Sequence, residues 1–308
     1  MSEHREGCLL GLLAGDRVGA AFEGQTHSSI VRRYPGLEEL AAALKPGRPT
    51  AASLSALASA RSLAAFPDFS GPDMAGRLVA SYGPGLGFGR ATSRAVERLC
   101  GGAEWNEAAL ETAGRSSFGN AAAVRMAAVG LLAGDDAENL RWIAEESSSI
   151  THKHVLATEG AVIQAHAVAL ASASRGQALS ASGYLDMLAG ETPVREFRNR
   201  LEAAAGMVRT DTAAGKIIER LGNGTTALGS VVTAAYCFAR KASSFEDAVV
   251  YAVFLGGNTT AIASMTGALA GAYLGAGGVP ENWLDGADGD AVTAADMRRA
   301  ACELPESV

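Results

Sequence analysis

Apolar residues along this chain recur at the spacing of a helix face and are interrupted by short clusters of Gly, Pro, Ser, Thr and Asn, which predicts helices joined by tight connections. The pattern places helices over Arg5–Ala21, Gly36–Leu44, Ala51–Ala65, Ser70–Ser81, Arg90–Cys100, Glu104–Thr112, Asn120–Leu132 and Ala137–Ser149. It continues with Val155–Ser174, Ala178–Leu188, Pro193–Met207, Thr212–Leu221, Ala227–Arg240, Ser244–Leu255, Ala261–Leu274 and Ala294–Leu304. No period-two alternation is sustained over consecutive strands, so the expected fold class is all-α, a compact orthogonal multi-helix bundle. No Pro/Ser-rich linker divides the chain, which points to one domain over residues 1–308. Ser244 sits where a helix N-cap belongs, with Glu246 in the first turn. Ala263, Gly267, Gly271 and Gly275 recur every fourth residue and form a smooth groove against which another backbone can lie.

Composition supports helix packing on helix. Apolar residues make up 48% of the 308 but aromatics only 6%, so the core must be filled by small side chains and close approach. A net charge of -7 without a basic stripe excludes nucleic acid as an expected partner, and no polybasic segment addresses a membrane. The run from Cys8 to Gly15 behind His4 and Arg5 mimics a signal peptide, but Asp16 and Arg17 follow at once. The uncharged stretch Ala248 to Val279 is long enough for a bilayer, yet Gly256-Gly257-Asn258-Thr259-Thr260 splits it into two core helices. Cys8, Cys100, Cys237 and Cys302 lack zinc-ligand spacing and read as reduced thiols of a cytoplasmic protein. Nothing in the pattern fixes an oligomeric state.

Several loops carry candidate chemistry. Gly11-Leu-Leu-Ala-Gly15-Asp16-Arg-Val-Gly19-Ala-Ala-Phe-Glu23-Gly24 places an acid within a helix and another just beyond its end. Tyr82-Gly83-Pro84-Gly85-Leu86-Gly87-Phe88-Gly89 precedes a helix start, so its amides suit an anion. Ser117-Phe118-Gly119-Asn120 offers a stacking face in Phe118 and a helix cap in Asn120. His152 and His154 are two apart and do not share a helix face, against a zinc pair. Asp285, Asp288 and Asp290 lack the ligand order of a calcium loop and are expected to form a solvated acidic turn.

The order of these loops resembles the ADP-ribosylglycohydrolase family. The first segment is similar to its GxxxGDAxGxxxEG opening, the third to GNGxxMR, Thr151-His152 to its Thr-His pair, and Gly256-Gly257-Asn258-Thr259-Thr260-Ala261-Ile262-Ala263 to GGDTDTIA. The resemblance implies the family's all-helical fold and a ribosyl or ADP-ribosyl ligand, with the diphosphate at Gly83, Gly85 and Gly87. It implies further contacts from Ser117, Phe118, Gly119, Asn120 and His152, and a catalytic candidacy for Glu23.

Members of that family hold paired Mg2+ or Mn2+ ions with the first Glu, a Thr-Asp-Asp run and an Asp-Thr-Asp-Thr run. Here those runs read Thr50-Ala51-Ala52-Ser53 and Asn258-Thr259-Thr260-Ala261. One carboxylate with neutral hydroxyls and an amide is a poor cage for hard divalent ions. The expectation is therefore no metal cofactor, the binuclear centre being lost, with Thr50, Asn258, Thr259 and Thr260 turned to ligand binding. Two functions follow. One is metal-independent hydrolysis of an N-glycosidic bond in an ADP-ribose-like or ribosyl, possibly NAD-derived, compound. There Glu23 is the general base and Asp16 a second catalytic candidate. The other is an inactive pseudoenzyme that binds ADP-ribose or a nucleotide as a sensor or partner.

Overall fold

The structure, a computed structural model, describes residues 2–110, 116–132 and 136–305. Within them lie eighteen α-helices and one short 3-10 turn, with two isolated backbone bridges and no strand. The fold is all-α.

Its axis is a pair of helices, Ser2–Ala20 and Thr259–Leu274. The groove of small residues in the second finds its partner in the first. Gly7, Gly11, Gly15 and Gly19 lie against Gly271, Gly267, Ala263 and Thr259 in turn, so the helices run antiparallel with backbones in contact. A methyl group at Gly11 would overlap the Gly267 carbonyl, and one at Gly267 the Gly11 carbonyl. The uncharged stretch divides at Gly256-Gly257-Asn258 into Phe245–Phe254 and Thr259–Leu274, both lined with buried residues. Val155–Ala173, long and apolar enough to cross a bilayer, is likewise a largely buried helix of the core.

Capping fixes where many helices begin. The Ser244 hydroxyl accepts from the Asp247 amide at 3.2 Å, and Thr293 and Asp296 form a reciprocal capping box. Ala51–Ala65 begins at Thr50, whose hydroxyl accepts from the Ala52 amide. This start also receives a carboxylate from another helix, described below.

Four sequence expectations change. Residues 104–110 form turns, not a helix, with the Trp105 ring seated against Gly71 and the edge of Phe69; residues 111–112 of that expected helix lie outside the described residues. The helix expected over Asn120–Leu132 breaks into Ala121–Val124 and Ala127–Leu132. At the break Arg125 is buried and bonds Ser147 and Thr151. A helix over His27–Arg33 was not expected, because Ile30 is its one buried residue; the Thr26 hydroxyl caps it. The acidic turn is not wholly solvated. The Asp290 carboxylate is enclosed, 3.3 Å from the buried Arg17 guanidinium, which also donates to the Asp285 carbonyl. Arg17 stands where the family pattern has Ala, so its charge and Asp290 answer each other.

Candidate active site

A cleft of about 820 Å³ opens between the loops that join these helices. Five short backbone hydrogen bonds, joining three pairs of segments, hold its walls. Gly24 donates to the Gly257 carbonyl and Gly257 to the Gln25 carbonyl, at 2.9 and 2.7 Å. Asn120 donates to Thr225 and Ala227 to Phe118, both at 3.0 Å. Ala51 donates to Leu86 at 2.7 Å, tying the glycine loop to the start of Ala51–Ala65. Loops far apart in sequence are thereby stitched into one rim, each by the polar backbone that helices leave unpaired at their ends.

Glu23 stands on one wall. Its Oε1 accepts from the Asn258 side-chain amide at 2.6 Å and its Oε2 from the Thr260 backbone amide at 2.9 Å. The other side of the Asn258 amide, its oxygen, accepts from Asn120 at 2.7 Å, and Asn120 donates also to Ser230 at 3.0 Å. Asn258 is held in register by its own amide, which donates to the Asn223 carbonyl. The result is a four-residue chain, Glu23, Asn258, Asn120 and Ser230, in which the Asn120 amide nitrogen donates twice and the Asn258 amide donates once and accepts once. Asn120 sits at a helix start as expected, but its side chain makes no cap bond; it is committed to this chain.

The glycine loop lines the same cleft. Gly85 and Gly87 have φ of 79° and 84°, which an L side chain adopts only under strain. No side chain caps the following helix, Arg90–Cys100, and Gly89, Arg90, Ala91 and Thr92 all line the cleft. The Thr92 hydroxyl is buried and has no partner. This is the chemistry of an anion subsite: free first-turn amides, a dipole's positive end and an unsatisfied hydroxyl.

Of the residues expected at the site, Glu23, Thr50, Gly85, Gly87, Ser117, Gly119, Asn120, His152, Asn258 and Thr260 line the cleft, as do Ala51 and Ala52. Gly83, Phe118 and Thr259 do not. The Phe118 ring is exposed and meets His154 edge-on, and the Thr259 hydroxyl is buried on the Gly19 carbonyl. Asp16 does not line the cleft either, and its placement does not suit activation of water. Its buried carboxylate accepts from the Thr50 amide and hydroxyl at 2.8 and 2.7 Å and from the Ser53 amide and hydroxyl at 3.1 and 2.5 Å. Burial raises this carboxyl above its ordinary range against the pull of those four donors. Asp16 thus caps the helix that carries Thr50 to the cleft. Replacing it with Ala should leave four donors unpaired and destabilise the fold by about 2 kcal/mol or more, read by denaturant melts, with a weakened ligand affinity.

The cleft is electropositive in a chain that is acidic overall. Arg48, Arg90 and Arg125 line it, and among the described residues Glu23 is the one acidic residue that does. Arg125 is 1% exposed, without a carboxylate partner among the described residues, and burial pulls its guanidinium down to about 10. Burial, and then the Arg125 charge, push the His152 imidazole down to about 3. Sequence reasoning passed over Arg48, Arg90 and Thr92 as site residues. Arg125 does carry a signal in the sequence, as an arginine inside an otherwise apolar helical run that matches the Arg of the GNGxxMR pattern.

The fold and cleft define the class: an all-helical protein whose main cleft is assembled from interhelical loops and the first turns of the helices they lead into. The chain belongs to the ADP-ribosylglycohydrolase family, whose profile matches residues 3–307. It is 31% identical to ADP-ribosylhydrolase ARH3 of Mus musculus over 324 residues, covering 92% of this chain and 87% of that one. Against ARH3 of Homo sapiens the identity is 30%, covering 92% and 88%. A solved structure described as an ADP-ribosylglycohydrolase-related protein complex superposes with a TM-score of 0.73 at 27% identity, covering 98% and 97%. Among the described residues no three His, Cys, Asp or Glu side chains converge as a metal cluster.

Proposed function

We propose that this protein hydrolyses an N-glycosidic bond of an ADP-ribose-like or simpler ribosyl compound without a metal ion, with Glu23 as general base. Family membership and the relatives named ADP-ribosylhydrolase support the reaction class. One observation carries the rest: Glu23 is the single carboxylate on the cleft wall among the described residues, and its partners are N–H donors. A pair of hard cations does not suit this donor set, because such ions take six or more oxygens and draw charge from carboxylates. Asn258 turns a hydrogen toward Glu23 where a ligand oxygen would be needed, and Ala51 and Ala52 offer no donor atom.

Each Glu23 oxygen accepts one hydrogen bond from the protein and keeps a second lone pair. A water held there shares the cleft with the anion subsite, so a ligand whose diphosphate is gripped by the glycine loop would present its ribosyl bond to the base. A leaving group that departs as a neutral base, as a pyridinium does, needs no metal to polarise it. The test is turnover of a nicotinamide ribosyl or ADP-ribosyl conjugate by protein stripped with excess chelator. Full retention is expected; activity that vanishes with chelator and returns with Mg2+ or Mn2+ overturns the proposal.

The same chemistry predicts a gain of function. The combined variant A51D, A52D, N258D, T260D gathers four carboxylates with Glu23 around the cleft and should acquire Mn2+ binding in calorimetry that the parent lacks. A second reading, ligand binding without cleavage, is favoured by the engagement of both Glu23 oxygens. It predicts ADP-ribose binding with no turnover of any ribosyl conjugate.

A further inference from the structure

Behind the cleft wall Arg125, Thr151 and His152 form a hydrogen-bonded chain, and all three are buried. Arg125 Nη2 donates to the Thr151 hydroxyl oxygen at 2.9 Å and to the Ser147 carbonyl at 2.6 Å. A guanidinium only donates, so the Thr151 oxygen is the acceptor and its own hydrogen needs a partner. His152 Nδ1, 2.8 Å away, is the acceptor it reaches. That nitrogen is therefore unprotonated, and the neutral ring carries its hydrogen on Nε2. With the opposite tautomer the Thr151 oxygen would accept twice and its buried hydrogen would have nowhere to go. A doubly protonated ring would set a second cation beside Arg125, with no carboxylate in contact among the described residues.

Nε2 makes no hydrogen bond to the protein among the described residues. It flanks Gly119, at which an added Cβ would stand 3.4 Å from it, and both residues line the cleft. We infer that Arg125 and Thr151 are positioning residues that fix His152 as its Nε2–H tautomer, so that the cleft offers an imidazole N–H donor to an acceptor oxygen of the bound ligand. The inference rests on the proposed function only for the source of that oxygen, a phosphate or ribose of an ADP-ribose-like compound. His152 then recognises ligand and takes no part in proton transfer. Gly119 is kept free of a side chain that would crowd the donor.

Long-range proton–nitrogen NMR spectra of the labelled whole protein read the tautomer directly, with His152→Gln identifying the resonance. A neutral Nε2–H ring is expected in the parent and in Thr151→Ser, and a mixture of tautomers in Thr151→Val. Calorimetry with ADP-ribose should give near-parental affinity for Thr151→Ser, and for His152→Gln, whose amide N–H reaches the same side, a smaller loss than for His152→Phe. Thr151→Val and His152→Phe should lose about tenfold. A parental ring protonated at Nδ1 or doubly protonated overturns the inference, as does a Thr151→Val variant that binds as tightly as the parent. An Nε2–H spectrum in a protein that does not bind ADP-ribose keeps the tautomer assignment and removes the proposed ligand instead.

Discussion

Glu23→Gln is expected to lower kcat by about 10²–10⁴-fold, the contribution of a positioned general base, while ADP-ribose affinity changes only a few-fold. The two readouts separate because the walls are separate. Gln keeps one oxygen to accept from Thr260 or Asn258, but its amide hydrogens then face a donor. Asn258 cannot turn its oxygen to meet them without giving up the 2.7 Å bond from Asn120. The mismatch stays within the Asn258 loop and does not reach the glycine loop, the proposed anion subsite. Steady-state kinetics and calorimetry on the same preparation check both halves. Near-parental turnover would move the base away from Glu23, and no other acid among the described residues lines the cleft to receive the role.

What the sequence made legible is what local spacing encodes. The four-residue recurrence at Ala263, Gly267, Gly271 and Gly275 announces a groove, and Ser244 before an apolar face announces a helix start. Both signals lie within one segment. The identity of the groove's partner does not, since Gly7, Gly11, Gly15 and Gly19 are some 250 residues away and meet it only in the folded chain. Asp16 was ambiguous for the same reason. A buried acid in a helix can serve catalysis or another helix, and only the position of Thr50 and Ser53 around it decides. Arg17 and Asp290 compensate each other across the fold, so an isolated acidic turn looked solvated when one of its carboxylates is enclosed. Candidate site residues were legible where they interrupt helical monotony, as Gly85, Gly87 and Asn258 do. Thr92, inside a polar helical run, was hidden by its surroundings.

Gly267→Val should destabilise the fold by about 3–5 kcal/mol, a large share of the stability of an ordinary domain. The added atoms would fall on the Gly11 carbonyl, which is backbone and cannot rotate away. Relief requires the two central helices to part, and the helix Ser2–Ala20 leads directly into Glu23 while Thr259–Leu274 begins at Asn258. Separation at Gly267 therefore also loosens the contact between Glu23 and Asn258, and residual folded protein should show reduced turnover. Gly76→Ala supplies the opposite sign. Gly76 lies in the helix Gly71–Ser81 with nothing within 4 Å of an added Cβ, so it suffers the conformational freedom of glycine without using it. Alanine there should stabilise by about 0.5–1 kcal/mol. Denaturant melts of the two variants give opposite shifts if close backbone approach is what the small-residue stripe provides. Equal and modest losses would mean that the central helices can yield, and that the stripe reflects composition alone.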